Sequence, residues 1–391
     1  MSINFKKLLT IFSIIISLNY SNANLCTASS KEKYLSPIIT SKPEASTFMK
    51  ELTFMSTQPL AYWYTDRGND MSGAKKDLNN FVSKCSGETP IVVIYGLPSK
   101  DCDAGESSGG FNQASSSYAT FINNAKEVLD STGESIVILE PDAAALTIDG
   151  SKCGASKGYK DNLKKSIEIL GQNQKIKMYI DVGHWVVIYG EDKIKDLIKF
   201  VSEIDPSNKL KGFSLNLSNY RKTEEMENAC KKIKDVSGKD YKCIIDTSRN
   251  NRGPSDKGTW CNYKNAGIGI GGNDNNAQKN PIIDHFVWIK PAAELDGNCY
   301  GNDDSYQSNL GAGAFDINWL KLLWKQGYYS SNDLKDIKNN SPSLQPAPQP
   351  APQPAPQPAP QPAPQPAPQS TQQLEQKKEQ WVSKIKICKL R

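Results

Sequence analysis

Histidine is nearly absent from this chain, with two in 391 residues, and no Cys-x-x-Cys pair occurs in it. Zinc sites are built from clusters of those residues, so no metal and no other cofactor is expected. An excess of one charge is lacking too: 47 Lys and Arg stand against 42 Asp and Glu, a formal net charge of +5, with no Lys/Arg block. That excludes the phosphate-tracking surface of a nucleic-acid partner. Past the N-terminus no apolar run is long enough to span a bilayer, so no membrane partner is expected.

What is present begins with MSINFKKLLTIFSIIISLNYSNANLC. Lys6 and Lys7 precede an apolar run from Leu8 to Leu18, and Ser21-Asn22-Ala23 supplies a small-residue end. The pattern is that of a secretory signal peptide over 1–23, cut after Ala23. The mature chain is therefore expected to be secreted and extracellular. Nine cysteines fit an oxidising compartment, and their odd number leaves at least one unpaired or paired between chains.

The C-terminal region changes character. Six QPAP repeats run from Gln345, within a linker over 341–369. Alternating proline favours extended polyproline II, a stiff spacer of about 75 Å at ~3.1 Å per residue. A short basic tail, 370–391, follows and is too small for a globular module. Residues 24–340 are left for one large domain.

Short apolar runs recur along that domain at Pro59–Tyr64, Pro90–Tyr95, Ser135–Glu140, Lys177–Asp181, Gly212–Asn216, Tyr241–Asp246 and His285–Ile289. Between them lie segments such as YATFINNAKEVLDS and EDKIKDLIKFVSEI, with apolar residues three and four apart. Strands alternating with helices imply a parallel sheet, and seven over this length suggest a barrel or near-barrel.

Nearly every run ends in polar chemistry. Tyr95 leads into Lys100-Asp101, Glu140 into Asp142, Asp181 into His184 and Asn216 into Asn219. Asp246 precedes Arg249, and Ile289 precedes Lys290, Glu294 and Asp296. A single acid at a strand end is often only a cap or turn. Six convergent ends point instead to the C-terminal mouth of an α/β barrel, where loops build active sites. Glu140 and Asp142 are expected to share that cleft, where a carboxylic acid with a raised pKa is useful.

VIYGLPSKDC (93–102), IVILEPDAAA (136–145), YIDVGH (179–184), IDTSRN (245–250), TWCN (259–262) and WIKPAAELDG (288–297) together resemble glycoside hydrolase family 6. The resemblance implies an α/β fold: a distorted, incompletely closed, TIM-like barrel of seven parallel strands. It implies a cellulase inverting β-1,4-glucan, with Asp142 as general acid and Asp101 tuning it and assisting the water. Asp296 matches the usual candidate base, and a water relay involving Asp101 is the alternative. Tyr95, Ser107, His184, Asn216, Trp260, Lys290 and Glu294 are the implied substrate-binding residues. Lys100, Asp181 and Arg249 are the implied supporting ones, with Lys100 and Arg249 holding Asp101 ionised. Trp63 and Trp288 are aromatic candidates, Trp288 the more readily core. The resemblance also implies disulfides Cys102–Cys153 and Cys261–Cys299 and leaves the other cysteines unassigned.

Two positions depart from the pattern. Lys100 stands where Arg is usual, and Val187 where a Trp is usual, with Trp185 two residues earlier. The short return after Asp296-Gly297 suggests an open cleft, hence a monomeric, secreted endo-β-1,4-glucanase acting on β-1,4-glucan polysaccharide. The alternatives are a cellobiohydrolase of the same family and a catalytically weakened glucan-binding protein. Asn216-Leu217-Ser218 and Asn339-Asn340-Ser341 are glycosylation sequons, the first inside an expected site loop.

Overall fold

A computed structural model describes residues 24–331 apart from 69, 151, 152, 275, 276, 278, 279, 301 and 302. The expected signal peptide, linker, tail, second sequon and Cys388 lie outside the described residues.

Seven strands form one sheet in sequence order: β1 (Tyr62–Thr65), β2 (Ile91–Tyr95), β3 (Ser135–Leu139), β4 (Ile176–Asp181), β5 (Leu210–Leu215), β6 (Lys242–Asp246) and β7 (Ile283–Val287). Every pair is parallel. Each apolar run of the sequence became a strand, because a parallel strand is covered on both faces and needs apolar residues throughout. The amphipathic segments became the crossovers, among them Ser115–Leu129, Tyr159–Leu170, Glu191–Ile204 and Thr223–Ser237.

The sheet curls without closing fully. No ladder joins β1 to β7; Leu60 and Trp288 form an isolated parallel bridge, with Ala61 N–H donating to the Trp288 carbonyl at 3.0 Å. Alternation sorts the side chains. Ile91, Val93, Tyr95, Ile136, Ile138, Tyr179, Ile244, Val287 and Ile289 fill the curl. Val92, Ile94, Val137, Leu139, Phe213 and Ile245 face the helices. A separate core behind the seam contains Trp288, Trp319 and Trp324, so Trp288 is buried packing.

β5 and β6 approach closely at Gly212, where a Cβ would lie 1.7 Å from the Lys242 carbonyl oxygen. Four disulfides staple the domain: Cys26–Cys85, Cys102–Cys153, Cys230–Cys243 and Cys261–Cys299. The first and third are the pairings that the sequence left open.

Candidate active site

The backbone is most contorted at the C-terminal ends of the strands. Eight described non-glycine residues have positive φ, and all but Asn208 lie there: Ser99, Asp101, Glu140, Asp142, Asn216, Ser218 and Asn262. Such strain persists where surrounding structure imposes it, commonly at functional sites.

The half of the mouth built on β2–β4 carries acids whose surroundings raise their pKa values. Asp142 caps the Ala143–Ile148 helix with φ 64°. Its N–H donates to Asp181 Oδ2 at 2.8 Å. Burial, then the neighbouring charges of Asp101 and Asp103, push the Asp142 carboxyl up to about 7. Burial raises Asp101 as well, against the Ser107 N–H that donates to it. Asp181 is pushed well above the usual range by burial and by Asp142, and its Oδ1 is buried without a partner. Tyr95 points into the curl here, its ring 5.7 Å from that of Trp63. The Cys102–Cys153 disulfide ties the Asp101 loop to the segment following the Asp142 helix.

The half built on β5–β7 carries acids held by donors. Asp246 accepts from four backbone N–H groups, those of Ser218, Ser248, Ile289 and Lys290, at 3.0–3.2 Å. Asp296 accepts both Arg249 Nη1 contacts at 2.9 and 3.0 Å, the Tyr220 hydroxyl at 3.0 Å and the Asn262 N–H at 3.0 Å. Lys290 Nζ stands 3.6 Å away. Burial alone would raise Asp296, but Arg249 and then Lys290 outweigh it and hold the carboxyl below its ordinary range.

Several expectations are corrected. Glu140 does not share the cleft: its φ of 42° turns the chain, and its carboxylate is buried against Gly96, Leu97 and Tyr118. Arg249 pairs with Asp296 rather than Asp101. Lys100 forms a buried ion pair with Asp66 and donates to the Gly109 carbonyl, so its effect on Asp101 is through space. Asn216 is buried with its amide spent on the carbonyls of Asp246 and Arg221 and the Arg221 N–H, which leaves no polar atom for a ligand.

The remaining candidates are distributed as follows. Ser107 and Lys290 are half-buried at the mouth. Glu294 is paired with Lys33 from the Ala28–Tyr34 helix. Trp260 is 50% exposed, the condition a sugar-stacking ring requires. His184 begins a short helix with a buried, unpartnered Nδ1, and burial followed by the Arg221 charge lowers it to about 4, so it is neutral. Val187 is buried and offers no platform; Trp185 packs its ring edge-on to His184 at 5.4 Å. A cavity of about 510 Å³ lined by Val187, Lys222, Glu225 and Asn228 includes none of the candidate catalytic acids. Among the described residues no group of three His, Cys, Asp or Glu is arranged to hold a metal ion.

Two participants escaped the sequence reading. Asp66 ends β1 as the other acids end their strands, a signal that was there to be used. Tyr220, bonded to Asp296 and lying 4.8 Å under the Arg249 guanidinium, carried no signal of its own.

A curled parallel sheet whose mouth carries Asp142, pushed up by burial and neighbouring charge, and Asp296, held below the ordinary carboxylate range by Arg249, defines a class: α/β-barrel proteins equipped for acid–base chemistry. The model of the family "Glycosyl hydrolases family 6" matches residues 21–326, and the chain belongs to that family. Endoglucanase A of Cellulomonas fimi is 33% identical over 259 residues, covering 62% of this chain and 50% of that protein. The 1,4-beta-D-glucan cellobiohydrolase CEL6B of Podospora anserina is 29% identical over 262 residues, 56% of this chain and 61% of its own. The chain thus spans half to about three-fifths of these relatives. The solved GH6 enzyme of Orpinomyces sp. Y102 shares the fold, with a TM-score of 0.64 and 24% identity over 78% of this chain and 97% of that one.

Proposed function

We propose that the protein is a secreted, inverting endo-β-1,4-glucanase. The carrying observation is the split of the mouth: Asp142 is raised to about 7 while Asp296 is held below the ordinary carboxylate range. Two acids whose surroundings drive their pKa values apart are the equipment of an acid and a base.

In the proposed step Asp142 gives its proton to the glycosidic oxygen as the C1–O bond breaks. A water attacks C1 from the opposite face and yields its proton to Asp296, directly or through waters that Asp101 orders. The products are a chain with a free 4-hydroxyl and a hemiacetal of inverted configuration. Tyr95 would crowd the reacting ring, Ser107 place the water, Trp260 stack a sugar, and Lys290, Glu294 and His184 offer polar partners. The four disulfides support export, as such staples persist in oxidising compartments. The domain reading is proposed with it: signal peptide 1–23, catalytic domain 24–340, linker 341–369 and tail 370–391.

One observation favours a second reading. The Glu106 carboxylate lies against Gly297, where a Cβ would meet it at 2.5 Å, so the loops after β2 and β7 touch. Touching loops narrow a cleft, as a chain-end-acting cellobiohydrolase requires. Release of reducing ends from carboxymethylcellulose, measured together with viscosity, separates the readings. Rapid viscosity loss per bond cut supports endo action, and cutting without it supports the chain-end reading. An inert protein that still binds glucan overturns both. NMR of the newborn anomer tests inversion.

A further inference from the structure

Glu140 is the acid that this mechanism leaves unused. It is fully buried, and no ion pair among the described residues includes it. Both carboxyl oxygens lie 3.1 Å from the Gly96 N–H; Oε2 also accepts from Leu97 N–H at 3.3 Å, and Oε1 meets the Tyr118 hydroxyl at 3.0 Å. An acid with neither solvent nor a cation is a costly choice for plain filling.

What it grips is specific. Gly96 and Leu97 form the first turn after Tyr95, and the Leu97 carbonyl accepts the Lys100 N–H at 3.0 Å in the turn that delivers Asp101. Asn112, from the far end of the same loop, donates to the Gly96 carbonyl at 2.9 Å. On its own strand, the Glu140 carbonyl accepts the Ala143 N–H at 3.2 Å and starts the helix that Asp142 caps. One side chain therefore bolts the turn bearing Asp101 to the turn bearing Asp142.

We propose that Glu140 is a positioning residue that fixes the placement of Asp101 relative to Asp142 by holding the β2 turn to the β3 turn. The inference rests on the reading of those two acids as the working pair. The ionisable groups around Glu140 are Tyr118, Asp66, Tyr95 and Tyr159. Burial pushes its carboxyl up to about 8, against the Gly96 and Leu97 N–H groups and the Tyr118 hydroxyl that all donate to it, so below that pH it is neutral. Glutamine keeps a carbonyl for the Gly96 and Leu97 N–H groups, and its amide nitrogen can donate to the Tyr118 oxygen once that hydroxyl turns to Ser166, its other hydrogen-bond neighbour.

The test uses the full chain with Glu140→Gln and Glu140→Leu, measuring kcat and KM on carboxymethylcellulose alongside thermal melts. Gln should keep kcat within about threefold. Leu fills the space but accepts nothing, and should lower kcat by ~10- to 100-fold with KM within about twofold, as a small misplacement of reacting groups does. A folded Leu variant with wild-type kcat, or a folded Gln variant that loses as much as Leu, overturns the proposal. If Leu does not fold, Glu140→Asp replaces it: withdrawing the acid by one methylene should cost about tenfold in kcat, and an unchanged kcat overturns the proposal. A wild type that releases no reducing ends sinks the hydrolase reading itself, a result visible before any variant is made.

Discussion

Asp142 holds a proton where most carboxyls have lost theirs, because burial and the charges of Asp101 and Asp103 all oppose its ionisation. Two consequences follow at the scale of this residue. Asp142→Asn should lower kcat by about 10³-fold, within the range of a positioned general acid, measured as reducing ends at constant substrate. Wild-type kcat should fall as pH rises through about 7, since only the protonated form can donate. The same shift has a stability sign. The folded pKa stands above the unfolded value of about 3.9, so the native state loses stability as pH climbs from there to about 7 and stays weakened above. Asn cannot ionise, and its Tm should exceed that of wild type at pH 8 and match it at pH 3. A variant less stable than wild type at pH 8 contradicts this reading of the site.

At the scale of the elements, the loop from Lys100 to Gly110 carries Asp101 and Ser107. Both its ends are tied to the tip of β1: Lys100 pairs with Asp66, Asn112 N–H donates to Asp66 Oδ2 at 3.0 Å, and Phe111 N–H to the Asp66 carbonyl at 3.0 Å. A Cβ on Gly110 would strike the Asp66 carboxylate at 2.1 Å, at a φ of +127° that side chains avoid. Asp66→Ala strands a buried ammonium and should cost about 3–5 kcal/mol of stability, read by denaturant unfolding. Removing the Cys102–Cys153 pair, 51 residues apart, by double Ser substitution should cost up to ~4 kcal/mol by the loop-entropy relation. Here the limits of the sequence become concrete. All seven strands were legible, because parallel strands need unbroken apolar runs. The direction of Glu140 was not, because alternation sends it inward and one left-handed backbone angle turns it out. Nor could spacing reveal that Arg249 serves Asp296, since the partners are 47 residues apart and meet only through the curl of the sheet.

At the scale of the molecule, the seam matters most. β1 and β7 touch through Leu60 and Trp288, at the entry end of β1 and the exit end of β7, so the curl is pinned there without a continuous ladder. A chain ending at Asn340 should cut carboxymethylcellulose at the rate of the full protein within about twofold, because every candidate residue lies before it. A tenfold loss would assign the C-terminal extension a part in catalysis on soluble substrate.

The buried amide of Asn216 bears on how the protein can be made. Oligosaccharide transfer in a eukaryotic secretory pathway acts on the nascent chain, before β5 and β6 have paired, and the Asn-Leu-Ser triplet is a fair acceptor at that moment. A glycan joined there would occupy the nitrogen that must later reach the Asp246 and Arg221 carbonyls. Folding and modification thus compete for one atom, and yield from a yeast host should rise when Ser218→Ala abolishes the acceptor, whereas a bacterial host should be indifferent to the change.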